Sequence, residues 1–185
     1  MNRRSVADVT GPPNGEVAVL FEVQSKLSAP PVVTVARAMS HFGEHAAGWV
    51  GISTIGALLV PGCRREWLLV GAGATAAHAA SIVIKLAVRR QRPHHPAIEV
   101  KVGTPSSLSF PSAHATSTAA AAMLLCRATR SPLPLVLVPL MAVSRLVLGV
   151  HYPTDVLAGI AVGATVARTA ARIAGPQKEK PRERS

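Results

Sequence analysis

The chain has 185 residues, which is enough for one compact domain, and 49% of them are apolar. Its mean hydropathy of +0.32 is high for a soluble globular protein, so the composition favours helices packed in lipid. The formal net charge of +11 suits anionic headgroups or a phosphorylated substrate. Aromatic residues make up only 3%, too few for stacking surfaces, so we expect no nucleic-acid partner.

The N-terminal region is more polar than the rest of the chain. Residues 1–15 contain Gly11, Pro12 and Pro13 and predict a flexible N-terminus. Residues 16–42 mix charged and apolar positions and are too polar to cross a membrane. They predict one or two amphipathic helices that lie at the membrane interface.

Five apolar segments follow, each with a composition that suits a membrane-crossing helix. They comprise residues 45–62, 66–88, 112–126, 132–150 and 155–175. The sequence therefore predicts an all-α integral membrane helical bundle with about five transmembrane helices and an N-terminal amphipathic interfacial segment. The membrane domain would be formed by residues 16–175, and residues 176–185 predict a basic disordered tail.

Individual residues in these segments predict local features. Pro139 predicts a kink in the fourth segment. The spacing of Gly159 and Gly163 predicts close packing of the fifth segment against another helix. Trp49 and Trp67 lie near segment ends and predict anchors at the membrane interface.

The loops between the segments predict an orientation. With five spans, the C-terminal tail shares one side with two loops that carry Arg64, Arg65, Arg127 and Arg130. The positive-inside tendency assigns that side to the cytoplasm. We therefore expect a multi-pass protein of the inner (plasma) membrane, with loop 89–111 and turn 149–154 on the extracytoplasmic face.

Three groups of polar residues, unusual beside apolar segments, fall on this extracytoplasmic face. The first group ends the second span, the second begins the third span, and the third joins the fourth span to the fifth. Together they bring to one place Lys85, Arg92, Ser112, His114, Arg145, His151 and Asp155.

This set has the chemistry of a phosphate-handling site. The planar guanidinium groups of arginine and the compact ammonium group of lysine both bind phosphate oxygens. The free backbone N–H groups after Ser112 also favour an anion. One imidazole can attack phosphorus while the other protonates the leaving oxygen, and Asp155 can orient His151. The three cations can neutralise the transition state, and the nine acidic residues do not cluster, so we expect no metal and no cofactor.

Three spacings in the chain resemble the motifs of the type-2 phosphatidic acid phosphatase superfamily. They are KxxxxxxRP at 85–93, PSxH at 111–114 and SRxxxxxHxxxD at 144–155. The resemblance implies a helical bundle with a metal-independent phosphatase activity. It departs from the usual pattern at one position, since the chain reads PSAH where the superfamily usually has PSGH.

The resemblance also implies a role for each matched residue. His151 would be the nucleophile that forms a phosphohistidine intermediate, His114 the general acid, and Asp155 the group that orients His151. The phosphate would be bound by Lys85, Arg92, Ser112, Ala113 and Arg145. If Ala113 had to adopt a left-handed conformation at the glycine position, the substitution would cost about 1 kcal/mol.

Three longer stretches resemble an actinobacterial branch of the superfamily: SHFGEHAAGWV (40–50), RQRPHHPAIEV (90–100) and LSFPSAHATST (108–118). Enzymes of this branch remove the 5-phosphate from a decaprenyl-linked ribose on the route to arabinan cell-wall precursors. The resemblance therefore implies a polyprenyl phosphate substrate. Two substrate alternatives are undecaprenyl diphosphate and phosphatidic acid, and an alternative of another class is a non-catalytic lipid-binding membrane protein.

Four further polar residues flank the first motif. They are candidates for contact with the sugar or a second phosphate of the substrate, and the alternative is a solvated loop or contact with lipid headgroups. These residues are Arg89, Arg90, His94 and His95.

Overall fold

The structure, a computed structural model, describes residues 12–176. Most of the predicted disordered tail and most of the predicted flexible N-terminus lie outside these residues. The described part contains seven α-helices and no β-strand. The helices are α1 (Gly15–Leu27), α2 (Pro30–Gly43), α3 (Ala47–Leu59), α4 (Arg64–Val88), α5 (Ala113–Thr129), α6 (Leu137–Val147) and α7 (Pro153–Ala174).

Helix α5 is the central helix of the bundle and packs most extensively against α4 and α7. Eleven of its 17 residues are buried, and nine of these eleven are alanine, serine or threonine. Small side chains let helix backbones approach closely. The resulting van der Waals contacts stabilise helix association in lipid, where the hydrophobic effect does not drive it. The central core includes Val70, Ala74, Ala120, Leu124 and Ala167.

The predicted close packing of the two glycines in α7 is confirmed. A Cβ at Gly159 would lie 2.7 Å from the backbone oxygen of Ser112. A Cβ at Gly163 would lie 2.2 Å from the backbone oxygen of Thr116. Because real Cβ atoms do not approach oxygen so closely, α7 can lie against α5 only with glycine at these positions.

Among residues 12–176, two helical stretches are long and apolar enough to cross a membrane, by length and composition: Pro61–Val88 and Pro153–Ala174. Helix α4 alone has 25 residues, which spans about 37 Å at 1.5 Å per residue. The fourth apolar segment divides into a 3₁₀-helix, Leu133–Val136, and α6. The kink predicted at Pro139 is wrong in position. The change from 3₁₀-helix to α-helix lies before Leu137, and Pro139 occupies the first turn of α6, where its missing N–H is not needed.

The N-terminal segment forms α1 and α2, which pack against α6. Their outward side chains include exposed apolar residues such as Val19 and Val35, and their position at the membrane interface stays a prediction. On the inner side, Gln24 donates hydrogen bonds to the backbone oxygens of Glu99 (2.7 Å) and Val147 (3.1 Å). These bonds fix α1 to the loop after α4 and to the end of α6.

The prediction that Trp49 anchors the protein at the membrane interface is wrong. Only 2% of Trp49 is exposed, and its ring packs edge-on against Phe42 with the ring centroids 4.9 Å apart. Trp67 is partly buried and covers Gly56, where a Cβ would lie 2.1 Å from the indole. Both indoles fill space between helices that small residues leave open.

The contact of α7 with α5 predicts the effect of a methyl group at Gly163. Gly163→Ala should lower the free energy of unfolding by about 1–3 kcal/mol, because the helices must separate to admit the Cβ. The matched control is Gly51→Ala on α3, where a Cβ meets nothing within 4 Å. Thermal unfolding in detergent measures both variants, and an equal Tm for the two would contradict the packing argument.

Candidate active site

A cavity of about 310 Å³ opens at one end of the bundle. Residues from all three sequence motifs line it: Lys85, Arg92, Ala113, His114, Arg145 and His151. The helix ends that carry them are far apart in the chain and meet because α4, α5 and α7 pack side by side. The structure thus brings together six of the residues that sequence analysis placed in one site.

Lys85 lies in the last turn of α4 and is nearly buried. Its ammonium group donates hydrogen bonds to the backbone oxygens of Leu108 (3.2 Å), Ser109 (3.0 Å) and Pro111 (2.7 Å). Through these hydrogen bonds Lys85 holds the long loop after α4 against the start of α5. It also holds a positive charge at the cavity wall.

Arg92 lies in the loop and reaches the turn before α7. Its Nε donates to the oxygen of Ser106 (2.8 Å) and its Nη1 to the oxygen of Val150 (2.7 Å). The same Nη1 lies 3.2 Å from Nε2 of His151. Burial lowers the pKa of Arg92 to about 10, so the guanidinium remains charged at neutral pH.

Arg145 is the most deeply buried of the three cations, with 1% of its surface exposed. Its guanidinium donates to Oγ of Ser40 (3.1 Å), the oxygen of Ala36 (3.3 Å) and Oγ of Ser144 (3.2 Å). None of these acceptors is charged. A buried cation with only neutral partners favours an anion in the adjoining cavity.

His151 occupies the turn between α6 and α7 and is 3% exposed. Its Nδ1 lies 3.6 Å from Oδ2 of Asp155, slightly beyond hydrogen-bond distance. Oδ2 also accepts a hydrogen bond of 2.8 Å from the amide of Tyr152, which forms part of the cap at the start of α7. The cap therefore holds the Asp155 carboxylate beside the imidazole, and a small approach would complete their hydrogen bond.

His114 lies in the first turn of α5 and faces α2. Its Nε2 is 2.9 Å from the backbone oxygen of Ser40. A Cβ at Gly43 would lie 2.6 Å from Cδ2 of the ring, so glycine makes room for the imidazole. Sequence analysis did not assign Ser40 to the site. The available signal was the stretch 40–50, which resembles the actinobacterial branch.

The structure does not place Ser112 on the cavity wall. Ser112 is fully buried and caps α5, since its Oγ accepts a hydrogen bond from the amide of Ala115 (3.4 Å). Its own amide donates to the oxygen of Asp155 (2.9 Å). Ala113 is the first residue of α5 and has a helical backbone, so the strain expected for alanine at the usual glycine position does not arise.

The four candidates for additional substrate contact lie outside the cavity lining. Arg89 and His94 are exposed. Arg90 pairs with Glu16 and Asp155. Nδ1 of His95 accepts a hydrogen bond of 3.1 Å from the amide of Ala97 within its own loop. None of these four side chains therefore lines the cavity in this structure, and their contact with a substrate stays a prediction.

The mouth of the cavity combines polar and apolar groups. Its polar residues include His41, Glu44, His45 and His78. On the side of α4 it is lined by Ile82 and Leu86, which are 44% and 60% exposed. An apolar chain can therefore lie against α4 while a polar headgroup enters the cavity.

A sequence profile described as the PAP2 superfamily matches residues 66–179, which include all three motifs. The chain belongs to the PAP2 superfamily. The match covers more than half of the chain, and it begins after α3, so α1 and α2 lie outside it.

Known proteins similar to this chain include phosphatases from mycobacteria. Decaprenylphosphoryl-5-phosphoribose phosphatase of Mycobacterium tuberculosis is 62% identical over 155 residues, covering 83% of this chain and 88% of that protein. The protein of the same name from Mycolicibacterium smegmatis is 66% identical over 148 residues, covering 80% and 82%. This similarity identifies the chain as a phosphatase.

A solved structure shares the fold. It is a transmembrane PAP2-type phosphatidylglycerolphosphate phosphatase from Bacillus subtilis, with a TM-score of 0.64 and 21% sequence identity over 83% of each chain. The nearly all-helical architecture is therefore that of a membrane phosphatase of this superfamily.

The environment of His151 predicts its ionisation. Burial lowers the pKa of His151 to about 3, with Arg92 and Lys85 acting in the same direction and Asp155 opposing them. A lowered pKa keeps the imidazole neutral down to acid pH, so roughly one molecule in a hundred is protonated at pH 5. In ¹⁵N-histidine NMR spectra, assigned with His151→Gln, the His151 signals should not titrate between pH 5 and 8. A midpoint within that range would contradict this prediction.

Proposed function

We propose that the chain hydrolyses the 5-phosphomonoester of decaprenylphosphoryl-5-phosphoribose, the substrate that the names of its mycobacterial relatives state. The observation that carries this proposal is 62–66% identity over at least 80% of each chain. The cavity supports it, because a site of about 310 Å³ suits a small phosphorylated headgroup and is too small to enclose a prenyl chain. Such a substrate would contribute to the synthesis of arabinan precursors of the cell wall.

In the proposed mechanism the phosphate lies among the three cations of the site. Lys85 acts as a point charge, while Arg92 and Arg145 direct guanidinium groups toward the phosphate oxygens. Ala113 lines the cavity at the start of α5 and offers a backbone N–H, and Ser112 supports it by capping the helix. These fixed donors stabilise the negative charge of the transition state without a metal ion.

The proposed chemistry proceeds in two displacements. Nε2 of His151 attacks phosphorus and forms the N–P bond as the P–O bond to the sugar breaks, and His114 donates a proton to the leaving oxygen. His114 then takes a proton from water, whose oxygen attacks phosphorus and releases His151 and inorganic phosphate. Asp155 orients the His151 ring and stabilises its positive charge during the first step.

We further propose that residues 16–175 form one membrane domain with five crossings, α3 to α7, in the inner (plasma) membrane. Two arginines support an orientation. Arg65 and Arg127 both bond to backbone oxygens at the C-terminal end of α7, to Ala174 (2.7 Å) and Gly175 (2.7 Å), at the end opposite the cavity. Basic residues favour the cytoplasmic side, so the active site would face the extracytoplasmic side.

A substrate panel tests the proposed activity. Purified enzyme in detergent should release phosphate from decaprenylphosphoryl-5-phosphoribose with a kcat/KM at least about tenfold above that for undecaprenyl diphosphate or phosphatidic acid, because only a matched headgroup satisfies the polar groups of the cavity. EDTA should leave the rate unchanged, and vanadate should inhibit. A preference for another lipid would replace the proposed substrate, and no release from any of them would favour a non-catalytic lipid-binding protein.

Loss of the nucleophile tests the mechanism. His151→Ala should lower kcat by about 10³-fold or more, because neither displacement can then occur. The control is Thr165→Ala, which removes an exposed hydroxyl bonded only within α7. Acid-labile and base-stable phosphate, characteristic of phosphohistidine, should be trapped on the wild type and absent from His151→Ala. Normal turnover by His151→Ala would refute the assigned nucleophile.

Contact between α2 and the general acid predicts the effect of a second glycine substitution. Gly43→Ala should lower kcat by about 10- to 100-fold, because its Cβ displaces the His114 ring from its reacting position. Gly51→Ala, in open space, serves as the control. Steady-state kinetics measure both variants, and an unchanged kcat in folded Gly43→Ala would show that the position of His114 does not depend on α2.

A further inference from the structure

Asp155 has a cationic partner outside the cavity. Its Oδ1 accepts a hydrogen bond of 3.0 Å from Nη1 of Arg90, while its Oδ2 lies beside His151. Asp155 is fully buried, and a buried carboxylate without a counter-charge is strongly destabilising. Arg90 supplies that charge through the oxygen that does not face the imidazole.

Arg90 is in turn held by the N-terminal helix. Its Nη2 forms an ion pair with Glu16 of α1, and its Nη1 donates to Oγ1 of Thr154 at 2.6 Å. Oε1 of Glu16 accepts hydrogen bonds from the amide (3.0 Å) and hydroxyl (2.6 Å) of Thr154. The guanidinium also lies 4.1 Å from the centroid of the Tyr152 ring, within cation–π distance.

The charge on Glu16 is consistent with this arrangement. Burial raises the pKa of Glu16, but hydrogen bonds from Thr154 and Arg90 outweigh it, so the net pKa is lowered. Glu16 therefore remains ionised at neutral pH and keeps its pairing with Arg90.

We propose that Arg90 is a positioning residue for the phosphatase reaction, and that Glu16 fixes Arg90 so that Asp155 keeps one oxygen directed at His151. The inference rests on the roles proposed above for His151 and Asp155. Since Glu16 precedes the segment matched by the superfamily profile, α1 becomes a functional part of the active site in this chain.

The competing interpretation, which the sequence raises, is that Arg90 binds the substrate. Arg90 does not line the cavity, and its two terminal nitrogens already bond to Glu16, Thr154 and Asp155. A phosphate would have to displace these partners and would leave the Asp155 carboxylate buried without its cation. The two interpretations differ in which kinetic constant depends on Arg90.

The experiment compares four variants in the full chain: Arg90→Gln, Arg90→Lys, Glu16→Gln and the control Glu22→Gln. Glu22 is matched because it lies on the same helix and forms an exposed ion pair with Lys26 at 2.6 Å. Phosphate release from decaprenylphosphoryl-5-phosphoribose in detergent micelles gives kcat and KM. Thermal unfolding of each variant identifies the temperature range in which it is folded.

Arg90→Gln should lower kcat by about 10- to 100-fold with KM within about threefold, as expected for loss of a charge-assisted hydrogen bond to a catalytic partner. Arg90→Lys should recover part of kcat, because an ammonium group can neutralise Asp155 but cannot bridge to Glu16. Glu16→Gln should cause a smaller loss of kcat than Arg90→Gln, and Glu22→Gln should match the wild type.

Three outcomes would overturn the inference. A raised KM with unchanged kcat in Arg90→Gln would assign Arg90 to substrate binding, and unchanged values of both would make the network structural only. If Arg90→Gln does not fold, the test rests on Arg90→Lys and Glu16→Gln. A kcat equal to that of Glu22→Gln in both of these variants would reject the positioning role of Arg90. Activity in His151→Ala would instead reject the proposed mechanism itself, so the two failures are distinguishable.

Discussion

Positive charge buried at one end of an apolar bundle is the constraint on which the site depends. Lys85, Arg92 and Arg145 hydrogen-bond to backbone oxygens, hydroxyls and one imidazole. Removal of an ion from water costs several kcal/mol, and neutral acceptors offset only part of it. A phosphate group carries up to two negative charges and can offset the remainder. The residues that destabilise an empty apolar bundle are therefore those that suit an anionic substrate, and they also hold the loop after α4 and the helix α2 in place.

The N-terminal helices contribute to the site although the superfamily profile begins after them. Helix α2 provides Ser40, whose Oγ accepts a hydrogen bond from Arg145 and whose backbone oxygen lies beside His114. Helix α1 provides Glu16, which reaches the cap of α7 through Arg90. Both helices also expose apolar side chains on their outer surfaces. One pair of helices thus presents apolar side chains on its outer surface and contacts the polar groups of the site on its inner side.

Sequence reasoning succeeded where local patterns carry the information. The apolar runs located α4, α5 and α7 to within a few residues, and the spacing of Gly159 and Gly163 predicted a close helix contact. It failed where a side chain's surroundings come from distant segments. Trp49 has the sequence position of an interfacial anchor but fills a space beside Phe42. Pro139 has the sequence position of a kink, but the helix begins only two residues before it and tolerates proline there.

The sequence by itself determined the membrane character, the helical class and the set of cations, imidazoles and carboxylate from which the site is built, because composition and motif spacing are local properties of the chain. Only the tertiary structure decided which of these groups line the cavity and which of them bond to other parts of the protein. Ser112 caps a helix away from the cavity wall, and Arg90 turns from the cavity to a buried carboxylate. The reason is that hydrogen-bond partners are set by which helix ends meet. That depends on side-chain packing across the whole bundle, which a pattern along the chain does not contain.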